Sequence, residues 1–298
     1  MKKIVIVGAN SYIARNLIYI LKQKGFNDNI ALYDFTEKHI DGEKNYQKIE
    51  ILEQKSVSQI DMDCDVIFMF VGKTGSTNGF DSYNTFIDIN ERALLNLLNE
   101  YCRQNSKAKI VFPSTRLVYK GKKEVLNEES EKEFKTIYSM NKYACEQYLK
   151  QYNNVYGVQY LIFRICVPYG TFIPDALSYG TTEFMLNKAI KGENISLYGD
   201  GSARRTLTYI GDLCETLITG AFSELCCNDV FNIGGENYSL KEMAELIAKK
   251  YSVGIDYIPY PEISLKVESG DTIFDDTKLK SIIGNTTASR FIDWIDKK

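Results

Sequence analysis

The chain has 298 residues, a formal net charge of −3, seven cysteines and a single histidine. That length allows a large buried core in one domain or two interlocked ones, and the slight acidity offers no basic field for nucleic acid. No apolar run approaches the ~20 residues of a membrane span, and one histidine leaves no histidine-based triad unless it is His39 itself. The cysteines form no C-x-x-C pair and read as reduced core thiols, no metal site is expected, and the composition is that of a cytoplasmic enzyme. His39 falls in a polar stretch and is expected at the surface.

In chain order, Lys3 to Val7 is a short β-branched run that reads as a buried parallel strand, too brief for a signal peptide. Gly8-Ala-Asn-Ser-Tyr-Ile-Ala14 follows at once, and Ile13, Leu17, Ile20 and Leu21 then recur at helical spacing until Gly25 stops the helix. Strand, glycine turn and helix is the context of a dinucleotide fingerprint, because a helix N-terminus offers backbone N–H groups and positive dipole to a pyrophosphate. The spacing is G-x-x-G-x-x-G with Ser11 at the second glycine and Ala14 at the third. Alanine still permits close helix–strand packing, whereas serine puts a Cβ near the phosphate path and brings a hydroxyl that can donate. An ordinary βα turn is the alternative.

A second strand, Ile30 to Asp34, ends in an acid about 26 residues after Gly8. A carboxylate there can accept from ribose hydroxyls and repels a 2′-phosphate, which favours NAD while leaving NADP open. A solvated strand-end aspartate is the plainer reading. Asp65 to Val71 is another buried strand, followed by the glycine-rich loop from Gly72 to Gly79 on the ligand edge of the sheet. A long helix from Tyr83 to about Asn105 carries an apolar stripe that Asn90 interrupts, as a residue bridging backbone groups would. Lys109 to Thr115 is the next strand, Lys120 to Lys135 a solvated charged loop, and Val158 to Arg164 the strand that closes the series. The pattern predicts an α/β fold with a doubly wound parallel sheet.

Between those last strands lies Tyr138-Ser-Met-Asn-Lys142, about 25 residues beyond Thr115. Tyrosine and lysine four apart share a helix face. A phenol titrates near ~10, a neighbouring ammonium favours its phenolate, and a hydroxyl such as Thr115 can hold the same substrate oxygen. The trio suits proton transfer at a sugar or alcohol hydroxyl while a hydride leaves the same carbon.

The whole resembles the extended short-chain dehydrogenase/reductase family, in its nucleotide-sugar epimerase, dehydratase and reductase group. The resemblance rests on Gly8 to Ala14, Asp34, Asp65, Asn90, Ser114-Thr115 with Val118-Tyr119, Tyr138 with Lys142 and Glu146, and Arg164 with Tyr169-Gly170. In the second half it continues through Leu197 to Arg205, Tyr209 to Asp212 and Phe231 to Gly235. It implies a Rossmann-type NAD-binding domain over 1–165, completed by about 206–235, and a smaller α/β domain over 166–298 holding most of the nucleotide-sugar. It further implies Thr115, Tyr138 and Lys142 as catalytic hydroxyl, acid/base and phenol-tuning lysine. Gly8, Asn10, Ser11, Tyr12, Ile13, Asp34, Val71, Gly72, Lys73, Tyr138 and Lys142 would line the cofactor, and Thr74, Arg116 and Arg205 the substrate. A homodimer working in polysaccharide biosynthesis is the corresponding expectation.

Three departures bear on the reaction. Val167 stands where many members carry an asparagine for the diphosphate. Glu268-Ser-Gly-Asp271 reverses the charge of the family's Arg-x-Gly-Asp, and a carboxylate beside a diphosphate needs a cation to offset it. The 4,6-dehydratases follow the threonine with Asp-Glu, but Arg116-Leu117 follow here, which disfavours that reaction. A C4 epimerase with bound NAD and a keto-sugar reductase with exchangeable NAD(P)H fit the remaining motif equally. Asp34 favours the first and the trimmed C-terminal region the second, while a non-catalytic NAD(P)-binding protein is the third class. Ser239-Leu-Lys-Glu242 reads as a structural capping box.

Overall fold

The computed structural model describes residues 2–176 and 180–298. Along the chain, β1 (Ile4–Val7), α1 (Tyr12–Gln23), β2 (Ile30–Asp34), β3 (Tyr46–Lys48), α2 (Gln54–Val57) and β4 (Val66–Met69) come first. Then follow α3 (Tyr83–Ile87), α4 (Ala93–Arg103), β5 (Lys109–Thr115), α5 (Ile137–Tyr156) and β6 (Tyr160–Ile165). The second half holds β7 (Val167–Tyr169), α6 (Thr181–Ile190), β8 (Ile195–Tyr198), β9 (Arg204–Tyr209), α7 (Ile210–Phe222) and β10 (Asp229–Asn232). It ends with β11 (Glu236–Ser239), α8 (Leu240–Tyr251), β12 (Ile255–Ile258), α9 (Glu262–Lys266), α10 (Thr277–Ile283) and α11 (Phe291–Asp296).

Seven strands form one parallel sheet in the order β3-β2-β1-β4-β5-β6-β10. Because β1 is buried on both faces, alternation is absent from its sequence. Ile4 and Ile6 pack with Leu17, Leu21 and Leu217 on one side, while Val5 and Val7 pack with Leu94, Leu97 and Leu149 on the other. The strand order reverses between β1 and β4, which opens a crevice at their C-terminal ends where open α/β sheets take ligands.

A smaller body grows from the end of β6. There β7 pairs with β9 in parallel, β11 with β9 antiparallel, and β12 with β8 in parallel. Its separate core gathers Met185, Leu186, Leu197, Leu207, Met243, Ile247 and Phe291. Ser239 and Glu242 close the capping box of α8, with Glu242 N–H donating to Ser239 Oγ at 3.1 Å and Ser239 N–H to Glu242 Oε2 at 2.7 Å. Val167, in place of the family's asparagine, is buried in this core and pairs with Leu207.

Three expectations need correction. His39 is 2 % exposed, not a surface residue. Its Nε2 lies 3.2 Å from the Ala9 carbonyl and its Nδ1 accepts the Asp41 N–H at 3.1 Å, so a short polar loop folds inward against the first glycine turn. The stretch 120–135 is not simply solvated: Leu126 is fully buried, Glu128 is buried, and Leu126 bridges to Phe274. The long helix after Tyr83 is not regular, because a π turn at Asp88–Arg92 separates α3 from α4. That turn is centred on Asn90 and widens the helix where it faces the site.

Candidate active site

Gly8 leaves β1 at φ +87°, and a Cβ there would lie 2.6 Å from the Val71 backbone nitrogen. Only glycine fits so close an approach of two backbones. Ser11 caps α1 in extended conformation, yet its side chain makes no capping bond, and its Oγ is buried without a partner. An orphaned hydroxyl at the N-terminus of α1, above a bare glycine cradle, suits the phosphates of a dinucleotide. Asn10, Tyr12 and Ile13 belong to the same turn. Asn10 N–H donates to Asp34 Oδ2 at 2.7 Å, and the Tyr12 hydroxyl to the Gly170 carbonyl at 2.7 Å. Asp34 Oδ1 accepts from Phe35 N–H at 2.7 Å, which fixes the carboxylate at the tip of β2 with lone pairs to spare.

The opposite wall is the segment after β4. Lys73 N–H donates to Asn90 Oδ1 at 2.9 Å and Asn90 Nδ2 to the Lys73 carbonyl at 3.1 Å, so the π turn clamps Val71, Gly72 and Lys73 against the sheet. Asn90 therefore bridges backbone groups, as its place in the apolar stripe predicted. A Cβ on Gly72 would sit 3.5 Å from Lys142 Nζ, placing the lysine directly beneath this segment. Thr74 is exposed just beyond it.

Tyr138 and Lys142 lie in the first two turns of α5. Thr136 starts that helix with a side-chain cap shared reciprocally with Ser139. The Tyr138 phenol lies within reach of Thr115, whose backbone ends β5 and whose Oγ1 accepts the Leu117 N–H at 3.2 Å. Burial pushes the phenol up to about 12, with Thr115 the one group pulling the other way. Lys142 is 4 % exposed, its Nζ 4.3 Å above the Phe112 ring, and burial lowers the amine to about 8. The groups acting on the phenol are Thr115 and Cys145, and Lys142 is not one of them.

Beneath the trio runs a buried polar network that the motif reading left without a role. Arg164 on β6 meets Glu146 of α5 in a fork, Nε to Oε1 at 3.0 Å and Nη2 to Oε2 at 2.6 Å. Ser114 Oγ donates to Glu146 Oε1 at 2.5 Å, and Arg164 Nη1 donates to the Tyr119 hydroxyl at 2.8 Å. Tyr119 in turn donates to Asn232 Oδ1 at 2.7 Å, and Asn232 N–H to Glu128 Oε1 at 2.8 Å. The network ties β5, α5, β6 and β10 together and fixes the strand end that carries Thr115. The available signal was an arginine inside a run of strand hydrophobics, which burial forbids without a partner.

In the smaller body Arg205 is 3 % exposed. Its Nη2 donates to Glu268 Oε1 at 2.6 Å, and its Nη1 to the carbonyls of Gly270 at 2.7 Å and Arg204 at 2.8 Å. Glu268 thus brings its own cation. Arg116, the residue after Thr115, donates from Nη1 to Ser269 Oγ at 2.6 Å.

Residues 4–234, which carry the glycine turn, the tyrosine–lysine helix and the second-body arginine, match the model of the NAD dependent epimerase/dehydratase family. The chain belongs to this family. Membership makes it an enzyme and makes NAD its cofactor. Among curated relatives it is 24 % identical, over 88 % of its length and 85 % of the relative's, to a UDP-N-acetyl-alpha-D-glucosaminuronate decarboxylase of Bacillus cytotoxicus. Among solved structures, UDP-glucuronic acid 4-epimerase of Bacillus cereus, in complex with UDP-glucuronic acid and NAD, superposes with a TM-score of 0.85 at 18 % identity. That match covers 99 % of this chain and 96 % of the other. UDP-glucose 4-epimerase of Thermotoga maritima with UDP-glucose gives a TM-score of 0.84 at 19 % identity, covering 98 % and 96 %. At such identities the superpositions establish the fold, an extended short-chain dehydrogenase/reductase architecture with a Rossmann-type sheet. Within the family, the orphaned Ser11 hydroxyl, the Gly8 cradle and the fixed Asp34 carboxylate are the residues that fit NAD.

Proposed function

We propose that this enzyme is a nucleotide-sugar epimerase that inverts a sugar at C4 by transient oxidation. The observation that carries the reading is the juxtaposition of the Tyr138 phenol with Thr115, the group that pulls its titration down, with Lys142 on the same helix face beneath Gly72. Thr115 Oγ1 holds the C4 oxygen, Tyr138 takes its proton, and the same phenol returns the proton after the keto-sugar has turned over in the cleft. NAD, when bound, supplies the reversible two-electron step at C4. Lys142 holds the nicotinamide ribose and brings positive charge to the site, because an amine at about 8 is still mostly protonated at neutral pH. Leu117 stands where a dehydratase needs an acid, so the cycle has no group for expelling water.

Residues 1–165, completed by about 206–235, carry the cofactor in this reading, and 166–298 carry most of the nucleotide-sugar, with Thr74, Arg116 and Arg205 along its path. The two superposed 4-epimerases, which act on UDP-sugars, support both the reaction and a UDP-sugar substrate. The test is incubation with UDP-, GDP-, CDP- and dTDP-sugars, following reduced nicotinamide absorbance beside product identity. A C4 epimer formed with no net change in NAD is the expected result. Stoichiometric NAD(P)H consumption on a keto-sugar, with no epimer from any non-keto sugar, would replace the epimerase with a reductase.

A further inference from the structure

Among the described residues, Arg116 is a cation with no carboxylate within 4 Å, at the ligand edge of the sheet. It follows Thr115 directly, and Thr115 pairs in register with Ile165, so Arg116 and Cys166 leave adjacent strands side by side at the ligand end. The guanidinium's one hydrogen bond among the described residues goes to a neutral hydroxyl, Ser269 Oγ, and no carboxylate there lies within 4 Å of it. The acid within electrostatic reach, Glu268, is already paired with Arg205 at 2.6 Å. Burial, and after it repulsion by Arg205, lowers the Arg116 guanidinium from its ordinary value. Two arginines and one carboxylate leave the cluster one positive charge in excess. An uncompensated, partly desolvated guanidinium is costly in the free protein, and its Nε and Nη2 donate to no described residue. A planar fork with two free donors matches a carboxylate.

We propose that Arg116 is a specificity-determining residue that binds a carboxylate on the sugar ring, so that the substrate is a nucleotide-activated sugar acid. This deepens the nucleotide-sugar reading and rests on it for the substrate's position. Ser269 orients the guanidinium, and the sugar carboxylate supplies the charge that Glu268 withholds. Arg205 remains with the nucleotide side of the ligand. Chain adjacency favours a ring carboxylate, because Arg116 is one residue from the hydroxyl assigned to C4, while its guanidinium reaches toward Ser269 beside the Arg205–Glu268 pair; the ligand comparison decides between carboxylate and diphosphate.

The experiment uses UDP-glucose and UDP-glucuronate, which differ in charge only at C6, and reads binding calorimetry on the full chain with NAD present. The Tyr138→Phe background prevents turnover, so binding is read apart from the reaction. UDP-glucuronate should bind about 10–100-fold more tightly than UDP-glucose, the span of a charged hydrogen-bonded pair. Arg116→Met should erase that preference, lowering UDP-glucuronate affinity far more than UDP-glucose affinity. Equal affinities in the parent, or parallel losses for both ligands in Arg116→Met, would overturn the proposal and put Arg116 on the diphosphate. A second arm needs no nucleotide. Ligand-free Arg116→Met should melt higher than the parent, and sodium glucuronate, against glucose with matched sodium chloride, should raise the parent's melting temperature and not the variant's. A lower melting temperature for the variant would make Arg116 a structural residue. If neither UDP-sugar binds, the UDP-sugar reading fails by itself and the melting arm decides the role of Arg116.

Discussion

At Gly8 the chain turns at φ +87° because two backbones come within a Cβ's reach, and Asp34 is held by the N–H groups of Asn10 and Phe35. At Arg205 two backbone carbonyls take one nitrogen, but the charge is met by a side chain. A guanidinium on β9 is held by a carboxylate 63 residues away, and a second arginine stands beside the pair with a hydroxyl alone. The first region is a rigid cradle whose shape follows from glycine, a helix end and strand register. The second is a set of charges whose balance depends on which acids the C-terminal segment supplies. Changes in the cradle should therefore alter cofactor use or chemistry, while changes in the charge cluster should alter stability and substrate choice together.

The largest effect should come from Tyr138→Phe, which removes the one proposed proton carrier and keeps the ring. Turnover should fall about 10²–10⁴-fold, with NAD binding retained in a fluorescence titration. Near-normal epimer formation would remove the phenol from the mechanism. Arg205→Ala tests the other region. It breaks the ion pair, leaving Arg116 as the cation nearest Glu268, and takes the donor from the Gly270 and Arg204 carbonyls, so the chain should lose about 1–2 kcal/mol in urea denaturation. Nucleotide-sugar affinity should also drop by more than NAD affinity. Removing both charges with Arg205→Ala and Glu268→Ala should recover part of the stability but not the affinity; recovery of both would make the pair purely structural.

A smaller effect separates the two dinucleotides. Asp34 favours ribose hydroxyls over a 2′-phosphate, so NAD should bind more tightly than NADP, and Asp34→Ala should narrow the gap by about tenfold. If NADP wins in the parent protein, Asp34 does not choose the cofactor.

How much could be read in the sequence follows from the same contrast. The cradle was legible because Gly8, Ser11 and Ala14 sit on one turn, and the alternation of apolar runs and helices dictated the parallel sheet. The Ser11 hydroxyl, read in the sequence as able to donate to a phosphate, is buried without a partner. Elements closed by distant partners were not legible. His39 looked like a surface residue because its acceptor, the Ala9 carbonyl, lies 30 residues back. Glu128 looked solvated inside a charged stretch because the Asn232 N–H it accepts from lies 104 residues on. Glu268 looked like a misplaced charge until Arg205 closed on it. A period in the sequence reports which face is buried, but it does not report which distant charge arrives there.

The smallest effect probes Lys142, where cradle and chemistry meet. The amine is buried over Phe112 and lowered to about 8, against an ordinary value near ~10.4 in an unfolded chain. Between those values the unfolded chain binds more protons than the folded one, so this residue's contribution to stability rises with pH across the interval. Below about 8 both states are protonated and the cost of a buried ammonium is present in full. Above ~10.4 both are neutral and that cost is gone. Lys142→Met keeps the stem's packing and removes the charge, so at pH 7 the ligand-free variant should melt higher than the parent while losing turnover. The stability advantage should shrink as pH climbs from 8 toward 10, followed by thermal melts of both proteins in matched buffers. An advantage that stays constant over that range would mean that the amine carries no charge penalty in the folded chain. A variant that melts lower at pH 7 would mean that the charge is already compensated before NAD arrives.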